Sequence, residues 1–217
     1  MPNLEQARDW YSREDPVHGW DHVQRVYRIA EQLAATTQAD WEIVGAAVLL
    51  HDAHADPPAG GGKEDSGQVM RRLNHHEASA EFARQVLESE GWQPERIAAV
   101  LHCIRAHRFR SGAEQPRTLE AQVLFDADKL DAIGATGVAR AIAYAVRRGA
   151  PVYACPSRRF QETGQLEPGE VHSAYHEYLF KLVHLKERLY TAEARFLAEK
   201  RHRLMVEFFE SLKQEAE

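Results

Sequence analysis

Cysteine is scarce: only Cys103 and Cys155 occur in 217 residues, with no paired spacing, which argues against a disulfide framework and against a cysteine-ligated zinc module. Long apolar runs are missing too. The longest uncharged one, "IVGAAVLL" at 43–50, is far short of the ~20 residues that cross a bilayer, so no membrane partner is expected. The opening "MPNLEQARDW" lacks the basic-then-apolar pattern of a signal peptide. With so little cysteine, that points to a reducing, cytoplasmic setting. A basic excess is also absent: 27 Lys and Arg stand against 33 Asp and Glu, for a formal charge of −6. The basic residues are interleaved with acids in "LVHLKERLYTAEARFLAEKRHRL", which reads as solvated helix faces and not as a stripe that tracks phosphates. Nucleic acid is therefore not an expected partner.

Strand signatures are nearly lacking, because alternating β-branched segments never persist while apolar residues return at helical spacing. The expected fold class is all-α. With 44% hydrophobic residues and no internal repeat or composition shift, the chain reads as one domain over 1–217. "NLEQ" at 3–6 carries the capping pattern of a short first helix. From Trp20, residues Val23, Val26, Tyr27, Ala30, Leu33 and Ala34 recur at three and four and predict a helix with one buried stripe. Asp40 can cap the next helix, which runs through the apolar stretch until "DPPAGGGK" makes continuation untenable. Further helices are expected from about His75 to Glu90, from Pro94 through "ERIAAVLHCIRAH", over "TLEAQVLFDADKLDAIGATGVARAIAYAV", and in two closing segments, 171–188 and 191–215. Residues 149–170, with three prolines and four Gly or Ser, are too long for a simple connector and suggest a lid or substrate loop.

A greasy helix that ends on His51 and Asp52 puts two metal-ligand types side by side. Adjacent residues on a regular helix point about 100° apart, so the pair can converge on one ion only where the backbone is released, at a helix end. Were His22, His51, Asp52 and Asp128 to meet, two imidazoles and two carboxylates would leave positions open on a six-coordinate ion, which suits Mn²⁺, Fe²⁺, Co²⁺ or Mg²⁺ better than a closed zinc site. Taken singly, each of these residues is better read as an ordinary partly buried side chain or helix-ending carboxylate. Asp128 and Asp131 stand three apart, so two carboxylates share a face of their helix.

Together "GWDHVQRVYRIA", "LLHDAHAD" and "DADKLDAIGA" resemble the His...His-Asp...Asp signature of the HD-domain phosphohydrolase superfamily, in order and spacing, across residues 20–135. The tail, "HEYLFKLVHLKERLYTAEARFLAEKRHRLMVEFF", is similar to that of the small single-domain bacterial members that act as nucleoside triphosphate pyrophosphohydrolases. The resemblance implies a single-domain HD-type helical bundle, with a metal-binding core over about 20–135 and a substrate loop and helices over about 149–215. It implies one divalent metal ion on His22, His51, Asp52 and Asp128, with Mn²⁺ favoured and Mg²⁺, Co²⁺, Fe²⁺ or Ni²⁺ as alternatives. The implied reaction is hydrolysis of a nucleoside or deoxynucleoside triphosphate to monophosphate and pyrophosphate. Alternatives are a nucleoside monophosphatase, an alarmone hydrolase and a phosphodiesterase and, further off, a di-iron oxygenase or a non-catalytic metal- and nucleotide-binding module. A helical surface of this size could also support a homodimer.

Asp52 would be both ligand and catalytic group. Asp56 matches the final Asp of the "HDxxED" variant of alarmone hydrolases, although Ala55 stands where that pair has its Glu. It is the first candidate for orienting or deprotonating water and Glu77 the second; a solvated helix-flanking carboxylate is the plain alternative for both. Lys129, between two ligand-like carboxylates, could pair with Asp52 or Asp128 or touch a phosphate. For the polyphosphate tail the candidates are Lys181 and Arg201, with Arg158 or Arg159 on the long loop. His76, His102 and His107 fit either a second metal, as in some superfamily members, or hydrogen-bonded residues facing bound phosphate. The second role is preferred, with His76 and His102 on the substrate side.

Overall fold

The most apolar stretch of the chain becomes the central helix. In the computed structural model, which describes residues 1–11, 15, 17–53, 66–108 and 114–217, with backbone alone for 66–75, α3 spans Trp41–Leu50 and every residue from Ile43 to Leu50 is buried. Asp40 caps it, its side chain accepting from the amides of Glu42 and Ile43, which satisfies donors that a helix start leaves open. Arg96 clamps the same carboxylate at 2.9 Å.

Around α3 stand α2 (Trp20–Ala35), α5 (Pro94–Ala106) and α6 (Leu119–Asp131), each packed against it. α2 buries Val23, Val26, Ala30, Leu33 and Ala34 of the stripe expected from the three-four spacing and Ile29 besides, while Tyr27 is only partly buried, and it lies along α6. α4 (Ser66–Ser89) packs mainly on α5. The short α1 (Leu4–Arg8), closed by a reciprocal Asn3–Gln6 capping box, touches α3. Leu33, Leu50, Leu87, Ile104, Leu124 and Leu130 are fully buried in one shared core. Each contributes about 1.5–3 kcal/mol over an exposed side chain. Among the described residues there is no strand, and no helix is long and apolar enough to cross a membrane.

The C-terminal half is a second layer. α7 (Gly134–Arg147) packs against α10 (Ala192–Ala216), which also reaches α6. The stretch from 118 to 146 forms two helices, α6 and α7, turned at Gly134, whose φ of +76° only glycine adopts without strain. A Cβ there would meet that of Arg201 at 2.9 Å, so the corner is both turned and closely packed. The segment 171–188 is not one helix. It forms α9 (Ala174–Phe180) and two 3-10 turns, Leu182–His184 and Lys186–Arg188. Likewise α4 begins at Ser66, upstream of the expected start near His75.

Within 149–170 a short helix, α8 (Arg158–Thr163), forms, and Glu170 ties the segment together. Its carboxylate accepts from the Ser157 amide and hydroxyl at 2.7 Å each and from the Glu167 amide at 2.6 Å, and it pairs with the buried His176 at 3.1 Å. Those contacts make the segment a pinned structural element.

Candidate metal centre

The ends of three helices deliver the site. His22 lies in the first turn of α2, His51 and Asp52 close α3, and Asp128 comes from the last turn of α6. The first three are buried, and one ligand atom from each falls within 4.8 Å of the other two. His51 Nε2 stands 3.5 Å from Asp52 Oδ2 and His22 Nε2 3.9 Å from the same oxygen. Asp128 Oδ1 is 3.5 Å from His22 Nε2. Donor atoms bonded to one octahedral ion at about 2.1 Å stand about 3 Å apart when adjacent and about 4.2 Å when opposite, so these separations have the scale of a shared coordination sphere.

The tautomers are set from outside. His51 Nδ1 donates to the Val48 carbonyl at 2.8 Å, and His22 Nδ1 donates to Asp131 Oδ2 at 2.7 Å. Both rings therefore present an Nε2 lone pair, and these two atoms are buried without a hydrogen bond. A buried polar atom left unpaired costs about 1–3 kcal/mol. Two such atoms, aimed at two carboxylates, fit a divalent cation. The end of α3 is held by Tyr11, whose hydroxyl donates to the Leu49 carbonyl at 3.0 Å, taking up an acceptor that a helix end leaves open.

Charge is arranged to keep the ligands in binding form. Burial, reinforced by Arg140, lowers the His22 pKa to about 4, so its imidazole is neutral at physiological pH. Burial would raise the Asp128 carboxyl, but Lys129 and then the neighbouring imidazoles hold it well below the usual carboxylate range. Lys129 Nζ lies 2.5 Å from Asp128 Oδ2 and 5.0 Å above the Phe125 ring; burial lowers its pKa.

Sequence reasoning assigned no role to Asp131, yet it organises one side of the site. Almost fully buried, it receives His22 Nδ1, Arg25 Nε at 2.7 Å and Arg140 Nη1 at 2.8 Å. Against the cost of its burial, the hydrogen bonds from His22 and Arg25 and the charge of Arg140 bring its pKa down to about 2. The one sequence signal was its three-residue spacing from Asp128.

His107 also belongs here. It is buried, its Nδ1 donates to the Ile104 carbonyl at 2.5 Å, and its Nε2 stands 3.8 Å from Asp52 Oδ1. Burial lowers its pKa to about 3. The other expected residues scatter. His102 spends both ring nitrogens on Glu114 and the Arg117 amide, at 2.6 and 3.1 Å, and so anchors the start of the 114–118 segment. His76 meets Arg108 at 3.0 Å. Glu77 is exposed and paired with Arg105 at 3.0 Å. Lys181 pairs with Glu177 at 3.0 Å and is close enough for its charge to help lower the Lys129 pKa. Arg201 donates to the Leu130 carbonyl at 2.6 Å, capping the end of α6. Arg158 is 90% exposed in a pair with Glu162, and Arg159 bonds Gln165 at 2.8 Å. Neither is brought to the four-residue cluster. Asp56 lies outside the described residues.

Comparison with known proteins agrees with this geometry. The family model described as the HD domain matches residues 19–133. The YpgQ protein of Bacillus subtilis (strain 168), which is uncharacterized, is 31% identical over 222 aligned positions, covering 99% of this chain and 94% of that protein. A crystal structure of YpgQ in complex with ADP superposes with a TM-score of 0.68 at 30% identity, covering 98% of this chain and 97% of that one. An HD-superfamily hydrolase of Bacillus thuringiensis gives a TM-score of 0.62 at 27% identity, covering 90% and 85%.

Proposed function

We propose, from the premise that this chain belongs to the HD domain family and is a metal-dependent phosphohydrolase, that it hydrolyses a nucleoside triphosphate to the monophosphate and pyrophosphate. The observation that carries the reading is the pair of buried, unbonded imidazole nitrogens on His22 and His51, facing Asp52 and Asp128. The ADP complex of YpgQ supports a nucleotide as the substrate class.

His22, His51, Asp52 and Asp128 would hold the ion. When bound, a divalent cation with open positions neutralises non-bridging phosphoryl oxygens and lowers the pKa of water. The chain's own residues do the rest. Asp131, through His22 Nδ1, fixes the imidazole that faces the site. Lys129, tied to Asp128, sets a buried ammonium where negative charge gathers on the phosphoryl group. Lys181, paired with Glu177 and close enough for its charge to act on Lys129, would add a second cation. In the reaction, water adds to the α-phosphorus, the bond from that phosphorus to the bridging oxygen breaks, and pyrophosphate leaves with the electron pair. The water's proton would pass to a carboxylate, for which Asp56, outside the described residues, stands ahead of Glu77, which is exposed and paired with Arg105. Mn²⁺ remains the favoured ion.

The place of His107, 3.8 Å from Asp52, favours one second reading: a two-ion site that His107 and Asp52 would both help to hold, suited to phosphodiester cleavage. A Mn²⁺-supplemented screen of nucleoside mono-, di- and triphosphates and of generic phosphodiesters, with products separated by chromatography, tests both. Pyrophosphate with a nucleoside monophosphate is the expected product pair. Orthophosphate alone, or turnover of phosphodiesters only, contradicts the first reading. Asp52→Ala and His51→Ala should remove hydrolysis and bound metal while helical content stays. Lys181→Ala should chiefly raise KM.

A further inference from the structure

Inward, α10 buries Ala194, Ala198, Met205 and Phe209, and it packs on α6 and α7. Its outer face also carries large apolar side chains. Phe196, Leu204 and Phe208 are 74%, 43% and 38% exposed, and among the described residues no other element bears more than one such side chain. The three fall on a single four-residue ladder, with Lys200 on the step between Phe196 and Leu204. Residues four apart are neighbours on a helix surface, so the ladder is a continuous stripe. Its ends stand about 18 Å apart along the axis. Single exposed apolar residues are ordinary on a protein surface, whereas a stripe of them marks an interaction face.

The charges beside the stripe are ordered along it. Exposed Lys200 and Arg203 lie toward its start, and exposed Glu207 and Glu210 toward its end. Several other exposed charges of this chain are paired locally, as Arg84 is with Glu81 and Glu88, and Arg158 with Glu162. Lys200, Arg203 and Glu207 form no hydrogen bond or ion pair among the described residues, although Arg203 and Glu207 stand four apart. Glu210 meets the Tyr178 hydroxyl at 3.4 Å. A basic half followed by an acidic half is complemented by the same helix running the other way. Antiparallel pairing about a two-fold axis sets each basic half against the other copy's acidic half, whereas parallel pairing sets like against like. With Leu204 on the axis, Lys200 and Arg203 each lie within one turn of Glu207 of the second copy. Phe208 comes level with Lys200 of that copy, whose aliphatic stem can cover the ring.

We propose that the outer face of α10 is the surface through which two copies of this chain pair, antiparallel and two-fold about Leu204. A second copy fits this face better than an anionic membrane, because the stripe is flanked by acids as well as bases and the chain carries a net charge of −6. A stripe of this length buries less than the ~800 Å² per partner of a standard interface. The dimer is therefore a weak one, formed at roughly tens of micromolar and above.

The test is sedimentation equilibrium of the full chain from about 1 to about 300 µM, a range that brackets a weak interface. Wild type is compared with Phe196→Ser, with the double variant Lys200→Glu/Arg203→Glu, with Glu207→Lys, and with an equimolar mixture of the last two. All these positions are exposed, and circular dichroism checks that each variant folds. Phe196→Ser should weaken the dimer by about tenfold or more. Each charge variant alone should weaken it by about threefold or more, since every pair occurs twice across a two-fold axis. Their mixture, an acidic face against a basic one, should associate at least as tightly as wild type. A wild type that stays monomeric throughout overturns the proposal, as does a dimer indifferent to Phe196→Ser. Charge variants that self-associate like wild type, or a mixture no tighter than its components, overturn the antiparallel arrangement. Monomers that pellet with vesicles of anionic phospholipid, and lose this in Phe196→Ser, would make the face a membrane contact and overturn it too.

Discussion

Replacing Asp131 by Asn separates the charge behind the metal centre from its shape. Asp131 Oδ2 accepts from His22 Nδ1 and Arg140 Nη1, at 2.7 and 2.8 Å, while Oδ1 accepts from Arg25 Nε at 2.7 Å. In Asp131→Asn the amide oxygen can take the place of Oδ2 and keep the bond to His22. The amide NH₂ then faces Arg25 Nε, donor against donor; Arg140 loses the carboxylate it pairs with, and Arg25 keeps only the exposed Asp21. One charge-assisted hydrogen bond lost is worth about 1.5–3 kcal/mol, and a chain of this length shifts Tm by about 2–4 °C per kcal/mol. The apo protein should therefore melt about 3–12 °C lower. Metal affinity should fall separately, by about 10–100-fold, because the carboxylate no longer makes His22 a stronger base. Thermal melts of the apo protein and a Mn²⁺ titration monitored by calorimetry give the two numbers independently. A folded variant that melts lower but binds Mn²⁺ as tightly as wild type would refute the claim that Asp131 acts on the ion through His22. A variant unaltered in both would show that the buried network carries no charge.

The apo protein should lose stability as pH falls below about 6.5, the ordinary histidine value. His22 and His107 have folded pKa values lowered to about 4 and about 3, so from about 6.5 downward the unfolded chain binds protons that the folded one refuses. The slope can reach about 1.4 kcal/mol per pH unit for each imidazole, and it levels off for His22 near pH 4 and for His107 near pH 3. A Tm that stays flat between pH 7 and 5 would contradict the neutral, buried state of these rings. Gly134→Ala should destabilise by more than the usual gain from glycine replacement, about 1 kcal/mol, since φ is +76° and the new Cβ meets Arg201 at 2.9 Å; a melt at or above the wild-type Tm would show that the corner is not strained.

The helix ends of the metal site were legible in the sequence for a physical reason. "IVGAAVLL" has no polar face, so its helix must be central, and whatever stands at its end must be buried: hence His51 and Asp52. Asp128 was marked by the resemblance carried in "DADKLDAIGA", since composition alone does not separate it from Asp126 and Asp131 on the same helix. Asp131 was not singled out, because an i, i+3 carboxylate pair looks the same whether it faces solvent or two arginines from other helices. The corner at Gly134 was hidden since apolar spacing continues across it, and only its positive φ, set by packing against α10, reveals the break. The interruption at Lys181, with φ −128° and ψ −57°, has neither glycine nor proline to announce it. Cation roles were the least readable. Lys181, near Lys129, and Arg201, bonded to the Leu130 carbonyl, occupy similar amphipathic contexts in the chain and differ only in tertiary surroundings.

The central claim is that two imidazoles and two carboxylates from three helices close on a divalent cation. Equilibrium titration of metal-stripped protein with Mn²⁺, beside His51→Ala with its helical content checked by circular dichroism, tests it most directly. Saturable binding of one ion per chain by wild type, and none by the folded variant, is the expected result. A wild type that takes up no ion, or a variant that binds as well as wild type, would contradict it.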